Sequence, residues 1–294
     1  MADVLPDCVD WHGSAQLHRY LVVDVFTSRP LEGNQLGVFA DGRPFSGEQM
    51  RRLARELKFA ETVFLLPPSD GGDVRMRIFT PGTELPFAGH PVLGTGFVVG
   101  QALGADAVTL ETGAGAVPIE LERDGDRIVF GRMQQPIPTW EPFAREAELL
   151  AALGVQSSLL PIEVYRNGPE HVYVRLPSEE AVASLAPDMA ALEELNVGAN
   201  CFAGRGRSWK TRMFWPAAGV LEDAATGSAA GPLAVHLARH GEIAFGEQIE
   251  ISQGAEIGRP SVLYATANGE RDRLDSVEVG GAAVVVAEGR YRAD

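Results

Sequence analysis

One sequence pattern occurs twice in this chain, and it constrains the fold more than any other feature. In the first copy, Phe79-Thr-Pro81 leads to Ala88-Gly89-His90 and then to an apolar, helix-like run that reaches residue 103. In the second copy, Phe214-Trp-Pro216 leads to Thr226-Gly227-Ser228 and to a similar run that reaches residue 240. Each run is followed by a short strand-like segment ending in glycine. An internal repeat of this kind predicts two similar domains.

The repeat also predicts two long helices that each begin in a loop containing glycine. The first N–H groups of a helix have no partner within it, and they lie at its positive end. If the two halves face each other, the cleft between them would suit an anionic ligand. Gly89 and Gly227 would allow a ligand to approach the backbone closely. The candidate donors to a carboxylate are the N–H groups of His90, Gly227 and Ser228.

Composition limits the class of partner. The chain has 294 residues, a net charge of −15 and 45% hydrophobic residues, which allows two medium-sized domains. The acidic balance argues against nucleic acid or an anionic membrane surface as the main partner. No apolar segment is long enough to span a membrane, and residues 1–18 lack the features of a signal peptide, so we interpret them as a leader. Cys8 and Cys201 are far apart in the sequence and form no motif, so we expect two ordinary thiols, as in a cytoplasmic protein.

The order of predicted elements indicates an α+β fold. Many strands with a single long helix per half argue against a doubly wound parallel sheet. Each curved, mostly antiparallel sheet could wrap around its central helix. We expect an N-terminal domain at 19–134, which a C-terminal strand at 283–294 could join, and a C-terminal domain at 135–282 that begins with a linker at 135–138. Predicted helices cover 46–58, 90–103, 142–153, 187–195 and 227–240.

Glu61 is the first candidate for a catalytic residue. It is flanked by apolar residues on both sides, and a carboxyl group in such surroundings is poorly hydrated. Its pKa should therefore rise towards the working pH, as a general acid and base requires. The alternative is a glutamate at the end of a strand whose side chain reaches water.

His90 and Asp223 are the next candidates, one in each copy of the repeat. His90 precedes Pro91, and we expect it at the N-cap of its helix, where it could relay protons or orient a substrate hydroxyl or amine. Asp223 lies shortly before the second helix and could act from the opposite side of the cleft. For both residues the alternative is a purely structural capping role.

Motifs for cofactors and metals are absent from the sequence. Neither a phosphate-binding GxxxxGK[ST] nor a dinucleotide-binding GxGxxG joins a strand to a helix. Lys58 and Lys210 are the only lysines, which argues against a pyridoxal enzyme. His236 and His240 have the spacing of metal ligands, but no carboxylate motif accompanies them. We therefore expect neither a cofactor nor a metal.

At these residues the chain closely resembles the PhzF-like family, a branch of the diaminopimelate-epimerase fold linked to phenazine biosynthesis. The resemblance extends from about residue 20 to 291. It includes Gly33-Asn34, Glu61-Thr-Val-Phe, the loop from residue 79 to Pro91, Asp223-Ala-Ala-Thr-Gly-Ser228 and the segment from Gln253 to Ser261. The motifs depart from the usual pattern at Gln35, Ala88 and Pro91.

The resemblance implies two similar domains with the active site between them, a homodimer and a cofactor-independent isomerase of a small unsaturated carboxylic acid. It carries the acid/base role to Glu61, accompanying roles to His90 and Asp223, and substrate binding to Gly89, Gly227 and Ser228. Related racemases use two cysteines as bases. The corresponding residues here are Ala88 and Thr226, so inversion by two thiols is unavailable.

The sequence leaves three readings of the function. The first is a proton-transfer isomerase that relies on Glu61. An isomerase of another pathway, acting on an unsaturated amino-acid intermediate, fits the same residues. A binding or regulatory homologue that has lost catalysis is the third, and the presence of Glu61, His90 and Asp223 argues against it.

Overall fold

The computed structural model describes residues 16–271 and 273–293. Residues 1–15 of the predicted leader, and Cys8 with them, lie outside the described residues. The described part contains six α-helices and eighteen β-strands. The helices are α1 (Gly47–Leu57), α2 (Gly89–Leu103), α3 (Glu146–Leu153), α4 (Glu179–Ala183), α5 (Met189–Leu195) and α6 (Gly227–Arg239).

The strands follow one another with few long interruptions. Those of the first half are β1 (Leu17–Val25), β2 (Asn34–Phe39), β3 (Glu61–Leu66), β4 (Val74–Phe79), β5 (Glu84–Leu85), β6 (Ala107–Thr112), β7 (Gly115–Asp124) and β8 (Arg127–Gln134). Those of the second half are β9 (Thr139–Pro142), β10 (Glu163–Arg166), β11 (Glu170–Arg175), β12 (Gly198–Arg205), β13 (Ser208–Trp215), β14 (Val220–Asp223), β15 (Ile249–Gln253), β16 (Ser261–Glu270), β17 (Arg273–Gly281) and β18 (Ala283–Arg292).

The strand pairings of the first half recur in the second. In the first half β1 pairs with β2 and β18, β2 runs parallel to β3, and β4 runs parallel to β6. In the second half β10 pairs with β11 and β9, β11 runs parallel to β12, and β13 runs parallel to β15. The remaining neighbours are antiparallel, and β8 joins β17 across the two halves. The predicted α+β fold with two pseudo-symmetric, mostly antiparallel units is confirmed.

The two long helices lie at the centre of the halves. From Gly89 to Gly100, α2 is almost entirely buried, and strands β1, β2, β3, β6, β7 and β8 pack around it. From Gly227 to Ala238 α6 is buried as well and packs on β16 and β17. Both helices consist mainly of apolar residues and are buried on most sides, as expected for helices enclosed by a sheet.

Most predicted elements are present, with some shifted ends and some omissions. The capping box of α1 is confirmed, because Ser46 accepts from the Gln49 N–H and the Gln49 side chain accepts from the Ser46 N–H. The predicted helix at 142–153 was too long, since β9 occupies Thr139–Pro142 and α3 begins at Glu146. Strands β5, β9, β12 and β14 and helix α4 were not predicted. β12 is buried on both faces over most of its length, so it shows no alternating pattern.

The C-terminal strand β18 lies beside β1 in the first half of the molecule. The first residues of β1 also lie within the part of the chain that we had assigned to the leader. The domain limits at residues 134 and 282 stay a prediction.

Candidate active site

The N-termini of the two central helices meet in the middle of the molecule. α2 begins after Ala88 and α6 after Thr226, and neither N-cap side chain bonds to its helix. The prediction that His90 caps α2 was wrong: His90 is the second residue of the helix, because Gly89 already has helical geometry. Pro91 as the third residue costs little, since its missing N–H would have had no partner in the first turn.

The contact between the helix starts depends on two glycines. A Cβ atom on Gly89 would lie 2.4 Å from the carbonyl carbon of Gly227 and 2.4 Å from the amide nitrogen of Ser228. A Cβ atom on Gly227 would lie 3.0 Å from the amide nitrogen of His90. The first N–H groups of both helices are therefore brought together, with both positive helix ends at the same place.

A cavity of about 190 Å³ opens at this junction. All six predicted site residues line it, and so do several residues that sequence reasoning missed. The lining includes Glu61, Ala88, Gly89, His90, His171, Met213, Trp215, Asp223, Thr226, Gly227 and Ser228. A larger groove of about 690 Å³ lies elsewhere but is more open and contains none of the six. We take the smaller cavity as the candidate site because the titratable groups converge there.

Glu61 is the first residue of β3, and its side chain is only 12% exposed. Burial raises the pKa of this carboxyl group well above its ordinary value, and the nearby charge of Asp223 raises it further. Its Oε2 atom lies 3.1 Å from Nε2 of His90. The two groups are not aligned as a hydrogen bond, and neither atom has another partner among the described residues. Both are therefore free to interact with a bound molecule.

His90 is buried, and burial lowers its pKa to about 3. The imidazole is consequently neutral near pH 7. Its Nδ1 atom lies 3.1 Å from the amide nitrogen of Asn34. A neutral imidazole can donate through one nitrogen and accept through the other.

Asp223 is held by two neighbours. The Asn34 amide donates to Oδ1 at 2.7 Å, and the Thr226 hydroxyl donates to Oδ2 at 2.7 Å. Burial raises the pKa of this carboxyl group, while the two hydrogen bonds act in the opposite direction. Asn34 also donates to the carbonyl of Ala225 at 2.9 Å, which ties the start of β2 to the start of α6.

Several polar residues at the site were not predicted from the sequence to be functional. Gln253 donates to the Thr226 hydroxyl at 2.9 Å and to the Asp223 carbonyl at 2.9 Å. The imidazole of His171 lies 3.0 Å from Ser228 Oγ. Gln253 and Asn34 belong to the motifs that carry the family resemblance, which was the available signal for them. His171 had no comparable signal, because it lies in an ordinary strand.

A second group of titratable residues lies at the other end of α6. We had noted that no carboxylate accompanies His236 and His240, but the fold brings Glu163 to them, with Oε2 at 3.2 Å and 3.0 Å. The same oxygen accepts from Arg239 at 2.7 Å and from the Tyr165 hydroxyl at 2.9 Å. A metal ion there would lie beside a guanidinium group, so we interpret the cluster as an ion-pair network.

No helix in the described ranges is both long and apolar enough to cross a membrane.

The chain is similar to known proteins over most of its length. The family model described as phenazine biosynthesis-like protein matches residues 23–289. A trans-2,3-dihydro-3-hydroxyanthranilate isomerase of Pseudomonas aeruginosa is 57% identical over 275 residues, covering 93% of this chain and 99% of that protein. A protein of the same name from Pseudomonas chlororaphis is 54% identical over 274 residues, with 93% and 99% covered.

Solved structures show the same fold. A PhzF-family phenazine biosynthesis protein of Bacillus anthracis has a TM-score of 0.81 at 26% identity, covering 94% of this chain and 99% of that one. A hydroxyproline epimerase from Agrobacterium vitis has a TM-score of 0.68 at 13% identity, covering 95% and 93%. With the family model matching most of its length, the chain belongs to the phenazine biosynthesis-like (PhzF) family.

Proposed function

We propose that the protein is a cofactor-independent isomerase that moves a proton and a double bond within a small unsaturated carboxylic acid. The compound named for its relatives, trans-2,3-dihydro-3-hydroxyanthranilate, is the substrate that we expect. The observation that carries this proposal is the buried carboxyl group of Glu61 at the junction of two helix N-termini, whose Oε2 atom has no hydrogen-bond partner among the described residues. A cavity of about 190 Å³ suits a single-ring acid rather than a large ligand.

The helix starts supply the binding of the substrate carboxylate. The N–H groups of Gly89, His90, Gly227 and Ser228 lie in the first turns of α2 and α6 and lack intrahelical partners. A carboxylate at the junction would face the positive ends of both helices. This arrangement fixes one end of the substrate and leaves its conjugated carbons near Glu61.

The carboxyl groups of Glu61 and Asp223 have different roles because their surroundings differ. Among the residues that the structure describes, no donor bonds to Oε2 of Glu61, and its pKa is raised, so Glu61 is the member of the pair that takes up and releases the proton during the reaction. Asp223 accepts two hydrogen bonds that favour its ionised form. Carboxyl groups whose environments separate their pKa values can take different roles in one site. Asp223 then holds the substrate amine or hydroxyl while Glu61 moves the proton.

In the reaction, the carboxylate form of Glu61 takes a proton from one carbon of the conjugated system. The electron pair of that C–H bond forms the shifted double bond. The π electrons of the original double bond then form a new C–H bond at another carbon, with the proton that Glu61 returns. His90, neutral and next to Glu61, orients the substrate hydroxyl or amine. A raised pKa serves both halves of the cycle, because one group must act as base and then as acid.

The test compares wild type with Glu61→Gln, using trans-2,3-dihydro-3-hydroxyanthranilate in D₂O and NMR detection. Wild type should shift the double bond. Glu61→Gln keeps the shape but cannot take up a proton, so kcat/KM should fall by about 10²- to 10⁴-fold.

Glu56→Gln is the matched control, because Glu56 is an exposed residue of α1 outside the cavity, and it should behave like wild type. Near-normal turnover by Glu61→Gln would contradict the assigned role. Binding of the acid by wild type, without isomerisation or exchange, would favour a non-catalytic homologue.

We further propose that the protein is a homodimer, as the family resemblance implies, and that it is cytoplasmic. Size-exclusion chromatography with light scattering would measure its mass in solution, and a monomeric mass would contradict the dimer.

A further inference from the structure

The second half of the molecule has no carboxylate where the first half has Glu61. In the parallel pair β2–β3, Glu61 lies opposite Leu36. In the equivalent pair β11–β12, the residues at the corresponding place are Gly198 and His171. The pseudo-symmetric partner of Glu61 is thus a glycine, and a Cβ atom there would lie 2.7 Å from Nδ1 of His171. The missing side chain leaves room for the imidazole.

The imidazole of His171 has a defined neighbour at each nitrogen. The side-chain nitrogen of Asn200 lies 3.3 Å from Nδ1 and 3.1 Å from the carbonyl oxygen of Gly198. Because a carbonyl oxygen can only accept, the Asn200 side chain must present its NH₂ group to this place. The two N–H bonds of the amide can then satisfy the Gly198 carbonyl and Nδ1 of His171. Nδ1 is therefore the acceptor nitrogen.

The other nitrogen must then carry the proton. Burial lowers the pKa of His171 to about 3, so the ring is neutral and has one N–H. With Nδ1 accepting, that N–H is on Nε2, which lies 3.0 Å from Ser228 Oγ. His171 consequently donates to the serine oxygen, and the proton of the serine hydroxyl is left to donate elsewhere. Ser228 lines the cavity.

We propose that His171 is a positioning residue that fixes the Ser228 hydroxyl as a hydrogen-bond donor towards the cavity, where it binds an oxygen of the substrate carboxylate. This inference rests on the proposed function and adds that the second half of the molecule recognises the substrate through its carboxylate. The two halves then differ in chemistry: the first moves a proton through Glu61, and the second holds the acidic end of the substrate. A serine hydroxyl that could equally accept a hydrogen bond would also bind an ammonium group. Because His171 fixes the Ser228 hydroxyl as a donor, an ammonium group is excluded at this place.

The binding test uses 3-hydroxyanthranilate, a fully aromatic acid that cannot isomerise, and 2-aminophenol, which is the same molecule without its carboxylate. His171→Phe removes the donor, and calorimetry should show about tenfold weaker binding of 3-hydroxyanthranilate or worse. Binding of 2-aminophenol should be unchanged. His171→Gln, which can still donate to Ser228, should keep most of the affinity. His18→Phe, a histidine of β1 outside the cavity, is the matched control.

A double-mutant cycle identifies the route of the effect. If His171 acts through Ser228, adding His171→Phe to Ser228→Ala should cause no further loss of affinity for 3-hydroxyanthranilate. In the free wild-type protein, ¹⁵N NMR should show His171 protonated at Nε2 and unprotonated at Nδ1. That measurement requires neither ligand nor turnover.

Three results would overturn the inference: the opposite tautomer, additive losses in the cycle, or equal losses of affinity for both probes. If wild type shows the expected binding pattern but no isomerase activity, only the proposed function would be overturned. The expected isomerisation together with any of the three results would overturn only the role of His171.

Discussion

Within the described part of the chain, no hydrogen-bond donor bonds to Oε2 of Glu61, whereas the carboxyl group of Asp223 accepts from the side chains of Asn34 and Thr226. This difference, more than burial alone, distinguishes the two acids, since both are buried and both pKa values are raised. The apolar neighbours of Glu61 made its desolvation predictable from the sequence. The partners of Asp223 were not predictable, because one of them, Asn34, comes from the other half of the chain.

The raised pKa of Glu61 predicts how stability depends on pH. Above the ordinary carboxyl pKa of 4.5 the unfolded chain releases this proton, while the folded protein keeps it until its raised pKa is reached. Between these two values the folded state binds more protons, so the free energy of unfolding falls as pH rises, by up to about 1.4 kcal/mol per pH unit.

Glu61→Gln cannot titrate and should lose this component of the pH dependence. Its thermal midpoint relative to wild type should therefore be higher near pH 8 than near pH 5. Differential scanning calorimetry at both values measures the difference. Parallel pH profiles for the two proteins would contradict the raised pKa.

At the scale of secondary-structure elements, the site depends on α2 and α6 meeting end to end. Helix starts were predictable from the repeated glycine-containing loops, although the position of His90 within the first turn was not. The contact itself follows from the strands that enclose each helix. Neither helix carries a side-chain cap, which leaves their first N–H groups available for a ligand.

Gly89→Ala should damage this junction. The added methyl group would lie 2.4 Å from backbone atoms of Gly227 and Ser228, which cannot move aside as a flexible side chain could. We expect a loss of about 1–3 kcal/mol in the free energy of unfolding, measured by urea denaturation, together with loss of 3-hydroxyanthranilate binding.

Gly82→Ala serves as the control, since its nearest contact would be Thr80 Oγ1 at 3.8 Å. An unchanged stability and affinity in Gly89→Ala would mean that the helix starts are farther apart than described.

At the scale of the whole molecule, one arginine of the second half holds a loop of the first. Arg259 donates to Asp24 Oδ1 at 2.7 Å, to the Glu32 carbonyl at 2.7 Å and to the Gly33 carbonyl at 2.8 Å. Asp24 is 1% exposed, so its charge needs this partner. Asn34, which contacts His90 and Asp223, directly follows the loop. This contact therefore links the relative placement of the two halves to the position of Asn34 in the site.

Arg259→Ala should lower the free energy of unfolding by about 3–5 kcal/mol, because it leaves a buried carboxylate unpaired. It should also weaken binding of 3-hydroxyanthranilate through the displaced Asn34. Arg259→Lys can still pair with Asp24 but not reach both carbonyls, so an intermediate loss is expected.

Arg43→Ala, which breaks an exposed, solvent-screened pair with Asp41, should leave the free energy of unfolding nearly unchanged. Urea denaturation and calorimetry measure these effects. Equal stability of Arg259→Ala and Arg43→Ala would contradict the bridging role.

The sequence by itself indicated the repeat, the α+β class and the two central helices, and together with the family resemblance it indicated the candidate residues Glu61, His90, Asp223, Gly89, Gly227 and Ser228. These features are written in local patterns: apolar periodicity, glycine at helix starts and a carboxylate between apolar neighbours. Only the tertiary structure decided which polar groups meet. Asn34 bonds to Asp223 across 189 residues and His171 to Ser228 across 57. Such pairs depend on strand register and helix placement, which result from packing the whole chain and leave no periodic signal near either residue.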